Sequence, residues 1–265
     1  AVLAQSHDQA VEHAIMATRA RLLSDPAVDS LRAELAQARS VATHTAAGRT
    51  GLSSKAIGQL YGGALAALKL RELASASGLA ALALGAVNVD TNSALVPAPY
   101  AQAAIVLLAS EIAMAQAKYP QAQALLQPYL PGHTSPGTAL SPFARSAMLL
   151  WAQSHIAQGA GRDELILVNE QLQSWVAQHP QDALAWDALA GVYTLQNQPL
   201  RAIRAQAEAR VALLDYTAAL DRFKAGQALA RQAGHTDHME LSIIDSRTRT
   251  VQGLVRELHS DKPAN

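Results

Sequence analysis

Apolar positions recur along this chain at three- and four-residue steps, a period that predicts helices from end to end. The clearest stretch runs from Ala183 to Ala212. Trp186, Leu189, Ala190 and Tyr193 fall on one face of a first helix. After the turn Asn197-Gln198-Pro199, Ala202 and Ala209 mark the inner face of a second. The same period predicts a helix over residues 11–23, with Ile15, Ala20 and Leu22 apolar, and another over 25–47. Asp25 reads as the N-cap of that second helix and Pro26 as its first-turn proline. Beyond a break at residues 48–51, five helical pairs follow: 53–70 with 72–85, 100–117 with 120–129, 142–158 with 163–178, 181–195 with 199–213, and 215–232 with 238–258. Two long connections, 86–99 and 131–141, are rich in turn formers and polar residues. No sustained period-two run suggests a strand.

The bulky–small–aromatic order at Trp186, Ala190 and Tyr193, with small residues where the next helix crosses, resembles a tetratricopeptide hairpin. The equivalent small residues of the earlier pairs are Ala64, Ser110 and Ala152, giving intervals of 46, 42 and 38 residues up to Ala190. The standard repeat is about 34 residues long. The surplus sits in the two long connections and in Gly159-Ala160-Gly161-Arg162. The expected fold is therefore all-α: a tetratricopeptide-like α-solenoid of four to five antiparallel helix hairpins, with extra N-terminal helices and a C-terminal capping helix. Residues 1–52 form the N-terminal helices, 53–234 the repeat array, and 235–265 the capping helix and tail. In that last helix Asp237 and Glu240 make a capping-box-like start, and Ile244, Thr248, Val251, Val255 and Leu258 form an apolar stripe. Covering the end of the array is the plain reading of the stripe; binding a partner is the sharper one.

Composition supports slim, closely packed helices. Half of the 265 residues are apolar, alanine is abundant, and aromatic residues make up only 4%. Lys+Arg and Asp+Glu balance at 21 each, so no global field draws nucleic acid or anionic lipid. The absence of cysteine excludes disulfides and thiolate metal sites, and suits either redox compartment. No apolar run reaches the roughly 18–20 residues of a membrane span. The first residues, Ala1-Val2-Leu3-Ala4-Gln5-Ser6-His7, lack both an initiator Met and the build of a signal peptide, so any targeting segment is expected upstream.

Motifs for catalysis are missing. None of the nine histidines belongs to a His-Glu-x-x-His pair, and neither Gly-x-Ser-x-Gly nor a phosphate loop occurs. His235 and His238 have an i, i+3 spacing that can hold a metal, but a solvated helix start accounts for them. His155 takes the place of Tyr193 in its own pair and reads as a packed histidine. Gly62-Gly63 reads as a close approach of two helices, and Asp163-Glu164 as first-turn carboxylates matched to the helix dipole. Arg201, Arg204, Arg210, Arg247 and Arg249, with Glu208 and Asp245, read as solvated helix faces.

The two ends of the chain carry a resemblance. Glu12-His13-Ala14-Ile15-Met16-Ala17-Thr18-Arg19-Ala20-Arg21-Leu22-Leu23, with Pro26, Val28 and Leu31-Arg32, is similar to the segment that follows the catalytic domain of bacterial BepA-like metallopeptidases. Ser242-Ile243-Ile244-Asp245-Ser246-Arg247-Thr248-Arg249, with Leu254 and Arg256-Glu257, resembles their terminal helix. These are zinc peptidases of the Gram-negative periplasm with a C-terminal tetratricopeptide domain. The resemblance covers only the non-catalytic part, so no zinc ligand or general base carries over, and this chain is expected to hold no cofactor of its own. It implies a periplasmic protein-binding domain downstream of a zinc-bearing peptidase domain. Such a domain would take protein or peptide partners, among them unfolded outer-membrane proteins or their assembly machinery. A free-standing scaffold or adaptor is the alternative, and an independent helical enzyme a further rival.

The natural binding groove of such an array is the concave face of the first helix in each pair. Repeat register places Tyr61, Leu65, Leu68 and Lys69 there, then Leu107, Glu111 and Met114, then Leu149, Gln153 and Ile156, and finally Asp187, Gly191 and Thr194.

Overall fold

The computed structural model describes residues 2–46, 52–89, 99–131, 142–233 and 237–260, and every regular element among them is a helix. The break at 48–51, most of both long connections, His133 and His235 lie outside the described residues. The chain is all-α, made of antiparallel hairpins in solenoid-like succession. It divides into two compact units, Ala1–Trp151 and Ala152–Asn265.

The first unit holds α1 (Val2–Ser24), α2 (Val28–Ala46), α3 (Ser54–Lys69), α4 (Leu73–Val89), α5 (Pro99–Ala115) and α6 (Tyr119–Leu126), which runs on into a 3-10 turn, Gln127–Tyr129. Helix α3 lies at its centre, packed by α1, α2 and α4. Ser53 caps α3 by accepting from the Ala56 N–H at 3.3 Å. Its glycines permit the crowding. A Cβ on Gly63 would overlap the Cβ of Ala38 in α2, and one on Gly62 would overlap Glu34 and Thr18. The close helix approach read from Gly62-Gly63 is thus present, and it serves α1 and α2 together. Helix α5 packs on α4 and α6 and also touches α1 and α3.

The boundary between the units falls inside α7 (Ala144–Gln158). The second unit continues with α8 (Arg162–Gln178), α9 (Ala183–Leu195), α10 (Pro199–Ala212), α11 (Tyr216–Ala233) and α12 (His238–Ser260), each of α8 to α11 packing on the helix that follows it. Asp182 begins α9: one carboxylate oxygen accepts from the Ala185 N–H at 3.3 Å and the other from Trp175 Nε1 at 2.9 Å. Helix α12 closes on α11 and reaches α10, burying Ile244, Thr248 and Val251 beside Ala207, Ala219, Leu220 and Phe223. Leu258 is exposed, so the apolar stripe ends earlier than its spacing predicts.

One backbone feature recurs in register. Arg71, Ala117, Gly159 and Asn197 all adopt a left-handed conformation, and each stands seven residues after its small crossing residue Ala64, Ser110, Ala152 or Ala190. The hydrogen bonds repeat too. The N–H of Glu72, Lys118, Ala160 and Gln198 donates to the carbonyl of Ala67, Ala113, His155 and Tyr193, at 2.9, 2.8, 3.0 and 2.9 Å. This is the helix-ending turn whose two bonds satisfy otherwise orphaned carbonyls. All four crossing residues are buried. Leu214, between α10 and α11, makes the same turn, the Asp215 N–H donating to the Arg210 carbonyl at 3.0 Å, so the motif ends helices more generally; in the four hairpins it also falls at a fixed distance from the crossing residue.

Three expected helix details change. Helix α1 starts nearer the chain terminus than the predicted residue 11. Asp25 is not the N-cap of α2, because the first helical bond runs from the Leu31 N–H to the Ala27 carbonyl at 3.0 Å. Asp25 acts one step earlier, accepting from the Ala27 N–H at 3.3 Å and the Ser30 hydroxyl at 2.7 Å. At α12, Asp237 does cap, accepting from the Glu240 N–H at 3.1 Å, but Glu240 does not complete the box. Its buried carboxylate is held by Arg204 of α10 instead.

Candidate functional site

The first unit gathers four polar side chains from three helices. Arg19 of α1 donates from Nη1 to the hydroxyl of Tyr61 on α3 at 2.8 Å. Glu111 of α5 is coupled by charge to Arg19 and to Lys69 of α3. Burial pushes the Glu111 carboxyl above the ordinary glutamate range, and the two cations pull against that rise. Burial likewise raises the Tyr61 hydroxyl, with Arg19 opposing. The result is a partly desolvated carboxylate beside two cations, where a charge brought by a partner interacts more strongly than in open water.

Glu111 lies within electrostatic reach of both Tyr61 and Lys69, but the exposure of the three differs. Lys69 is exposed, while Leu107, Glu111 and Met114 are intermediate and recur at i, i+4 and i+7 along one face of α5. Tyr61 is only 1% exposed and belongs to the core, as do Leu65 and Leu149. The physical reason for Tyr61 is α1: a helix outside the regular pairs packs on α3 and withdraws that ring. Leu68 is half-buried. Gln153, Asp187 and Thr194 belong to the second unit and are exposed, Thr194 donating from its hydroxyl to the Ala190 carbonyl at 2.9 Å. There Ile156 and Gly191 meet closely: a Cβ on Gly191 would lie 3.1 Å from Ile156 Cδ1.

Arg19 escaped the sequence reading as a site residue. Its partner is 42 residues away and no local spacing announces the pair. Arg210 and Arg249 are exposed, as read, but two of the arginines read as solvated faces are different in kind. Arg247 of α12 grips Glu208 of α10 with two hydrogen bonds, Nε to Oε1 at 2.6 Å and Nη2 to Oε2 at 2.7 Å. With Arg204 and Glu240 this makes a second clamp between the same two helices. His155 is buried, as expected of a packed histidine, and burial lowers its pKa against the pull of Glu164.

Among the described residues, no group of three or more His, Asp or Glu stands together as metal ligands, and no helix is long and apolar enough to cross a membrane. Comparison with known proteins yields no matching family model and no matching curated protein.

Proposed function

We propose that this chain is a protein-binding helical-hairpin module whose first unit engages a partner along the α5 stripe Leu107, Glu111 and Met114, beside Lys69. The observation that supports it is the pairing of a half-buried carboxylate between two cations with flanking apolar side chains that the fold leaves partly uncovered. A mixed surface of this kind suits an amphipathic protein segment better than a small metabolite. Exposed Gln153, Asp187 and Thr194 extend the polar surface available in the second unit. In the finer form of the reading, the module is the non-catalytic part of a BepA-like periplasmic zinc metallopeptidase. It would present unfolded outer-membrane proteins, or their assembly machinery, to an upstream peptidase domain. That finer form rests on the similarity of the two chain ends.

The test is direct binding of an unfolded outer-membrane β-barrel protein, diluted from urea and followed by fluorescence anisotropy. Glu111→Lys should weaken capture at least tenfold; unchanged capture overturns the α5 surface. The reading frame upstream decides the finer form. A His-Glu-x-x-His segment preceded by an export signal supports the peptidase, and its absence leaves the free-standing scaffold.

A further inference from the structure

Two neighbouring turns of the first unit carry charge that the fold leaves unanswered. One joins α3 to α4 through Leu70 and Arg71, and the other joins α5 to α6 through Gln116, Ala117 and Lys118. Gln116 holds them side by side, its Nε2 donating to the Leu73 carbonyl at 2.8 Å. Arg71 and Lys118 each stand two residues from that bond, with Lys69 two residues before Arg71, and all three are exposed. The described carboxylates of these hairpins, Glu72 and Glu111, are engaged elsewhere. Arg39 of α2 binds Glu72, and Glu111 lies in the fields of Arg19 and Lys69. Among the described residues, neither Arg71 nor Lys118 has an ion pair.

The turns themselves need no cation. The same left-handed turn forms over Gly159-Ala160 and Asn197-Gln198, with no charge at either position. Carbonyls at the ends of α3 and α5 are already met by backbone N–H groups of the turns. Arg71, at φ 63°, holds a conformation that glycine adopts freely and a residue with a Cβ does not. Lys118 stands at the start of α6, where the helix field is already positive, and no side chain caps that start. These costs have no internal pair to offset them, so the counter-charge comes from outside. Size and polarity choose its carrier. A nucleic acid or an anionic bilayer draws on many charge contacts, whereas this patch is two turns wide on a chain of zero net charge. Leu70, Leu73 and Tyr119 beside it are half-buried, so none projects to enter a bilayer. We propose that the paired turns bind a short acidic peptide segment of a partner protein, its adjacent carboxylates received by Arg71, Lys118 and Lys69. Arginine suits bidentate pairing with a carboxylate, and lysine adds a point charge beside it. Arg71 and Lys118 lie off the α5 stripe Leu107, Glu111 and Met114, so either reading can fail without the other.

The experiment is a titration of the isotope-labelled full chain, at low ionic strength, with an N-acetylated, C-amidated hexapeptide, Gly-Asp-Glu-Asp-Glu-Gly. It is read from the backbone amide NMR signals of Arg71 and Lys118. Both signals should shift saturably, and added salt should weaken the binding. The neutral peptide Gly-Asn-Gln-Asn-Gln-Gly should bind about tenfold more weakly, the loss expected when charge-assisted hydrogen bonds become neutral ones. Arg71→Gly should raise Tm, since it relieves a left-handed residue, while weakening binding of the acidic peptide about tenfold. Lys118→Gln should weaken binding in the same way and serves as the second variant should Arg71→Gly disturb folding. No saturable shift with the acidic peptide overturns the proposal, and so does equal binding of the neutral one or undiminished binding by both variants. A short RNA or vesicles of anionic lipid that bind more tightly than the peptide, and lose that affinity in the same variants, also overturn it and reassign the patch.

Discussion

Arg19 and Tyr61 are joined by a hydrogen bond of 2.8 Å that ties α1 to α3 across 42 residues of chain. The bond fixes a cation beside Glu111, and this has a measurable consequence. A carbon-13 titration of the Glu111 carboxyl should give a pKa above the ordinary glutamate value of about 4.3. Arg19→Ala removes one of the two charges that oppose the rise, so the pKa should climb further. A fall in that variant would mean that Arg19 acts on Glu111 only through packing.

The sign for stability follows from the same shift. Because the folded state holds the Glu111 proton more tightly than the unfolded state, the contribution of Glu111 to stability is greatest below the ordinary glutamate pKa. It declines as pH rises through the folded value. Glu111→Gln should flatten that part of the stability curve, measured by urea unfolding at steps of pH.

Two glycines give opposite results when changed to alanine. At Gly63 the added methyl overlaps Ala38, and the substitution should cost about 1–3 kcal/mol by overpacking. At Gly78, in α4, a Cβ meets nothing within 4 Å, and alanine should stabilise by about 0.5–1 kcal/mol. Denaturant midpoints of the two variants should move in opposite directions from the parent.

The repeated turn allows a similar pair. Ala117 sits in the left-handed region at φ 57°, a conformation that disfavours residues with a Cβ. Ala117→Gly should gain about 0.5–1 kcal/mol, while Gly159→Ala, at φ 68°, should lose about the same.

Breaking the α10–α12 clamp should loosen one helix rather than the whole chain. Glu208→Ala leaves Arg247 without its two acceptors, at a cost of about 1–3 kcal/mol given that Arg247 keeps some solvent. Hydrogen exchange should quicken in α12 first and leave the α1–α3 amides unchanged.

The helices were legible because their period is a local property, and so was the repeat register, since a small residue is needed wherever two helices cross closely. Ser110 shows how well that logic carries: it is polar, yet it is buried at the crossing with its hydroxyl donated to the Val106 carbonyl at 2.8 Å. What could not be read were long-range polar pairs. Arg204 and Arg247 look solvated on their own helices because their partners lie 36 and 39 residues away. The repeat pattern puts Tyr61 in a groove because it carries no information about α1, the helix that packs over α3.

The shared turn at Arg71, Ala117, Gly159 and Asn197 also makes the array modular in a practical sense. Cut at any two of these points and rejoined, the chain meets itself in the same backbone conformation and the same bonding pattern. The shrinking intervals of 46, 42 and 38 residues leave that junction untouched. A segment lifted from one turn to the next is thus a ready-made insert, by which such an array can be lengthened, shortened or shuffled without a new splice being invented.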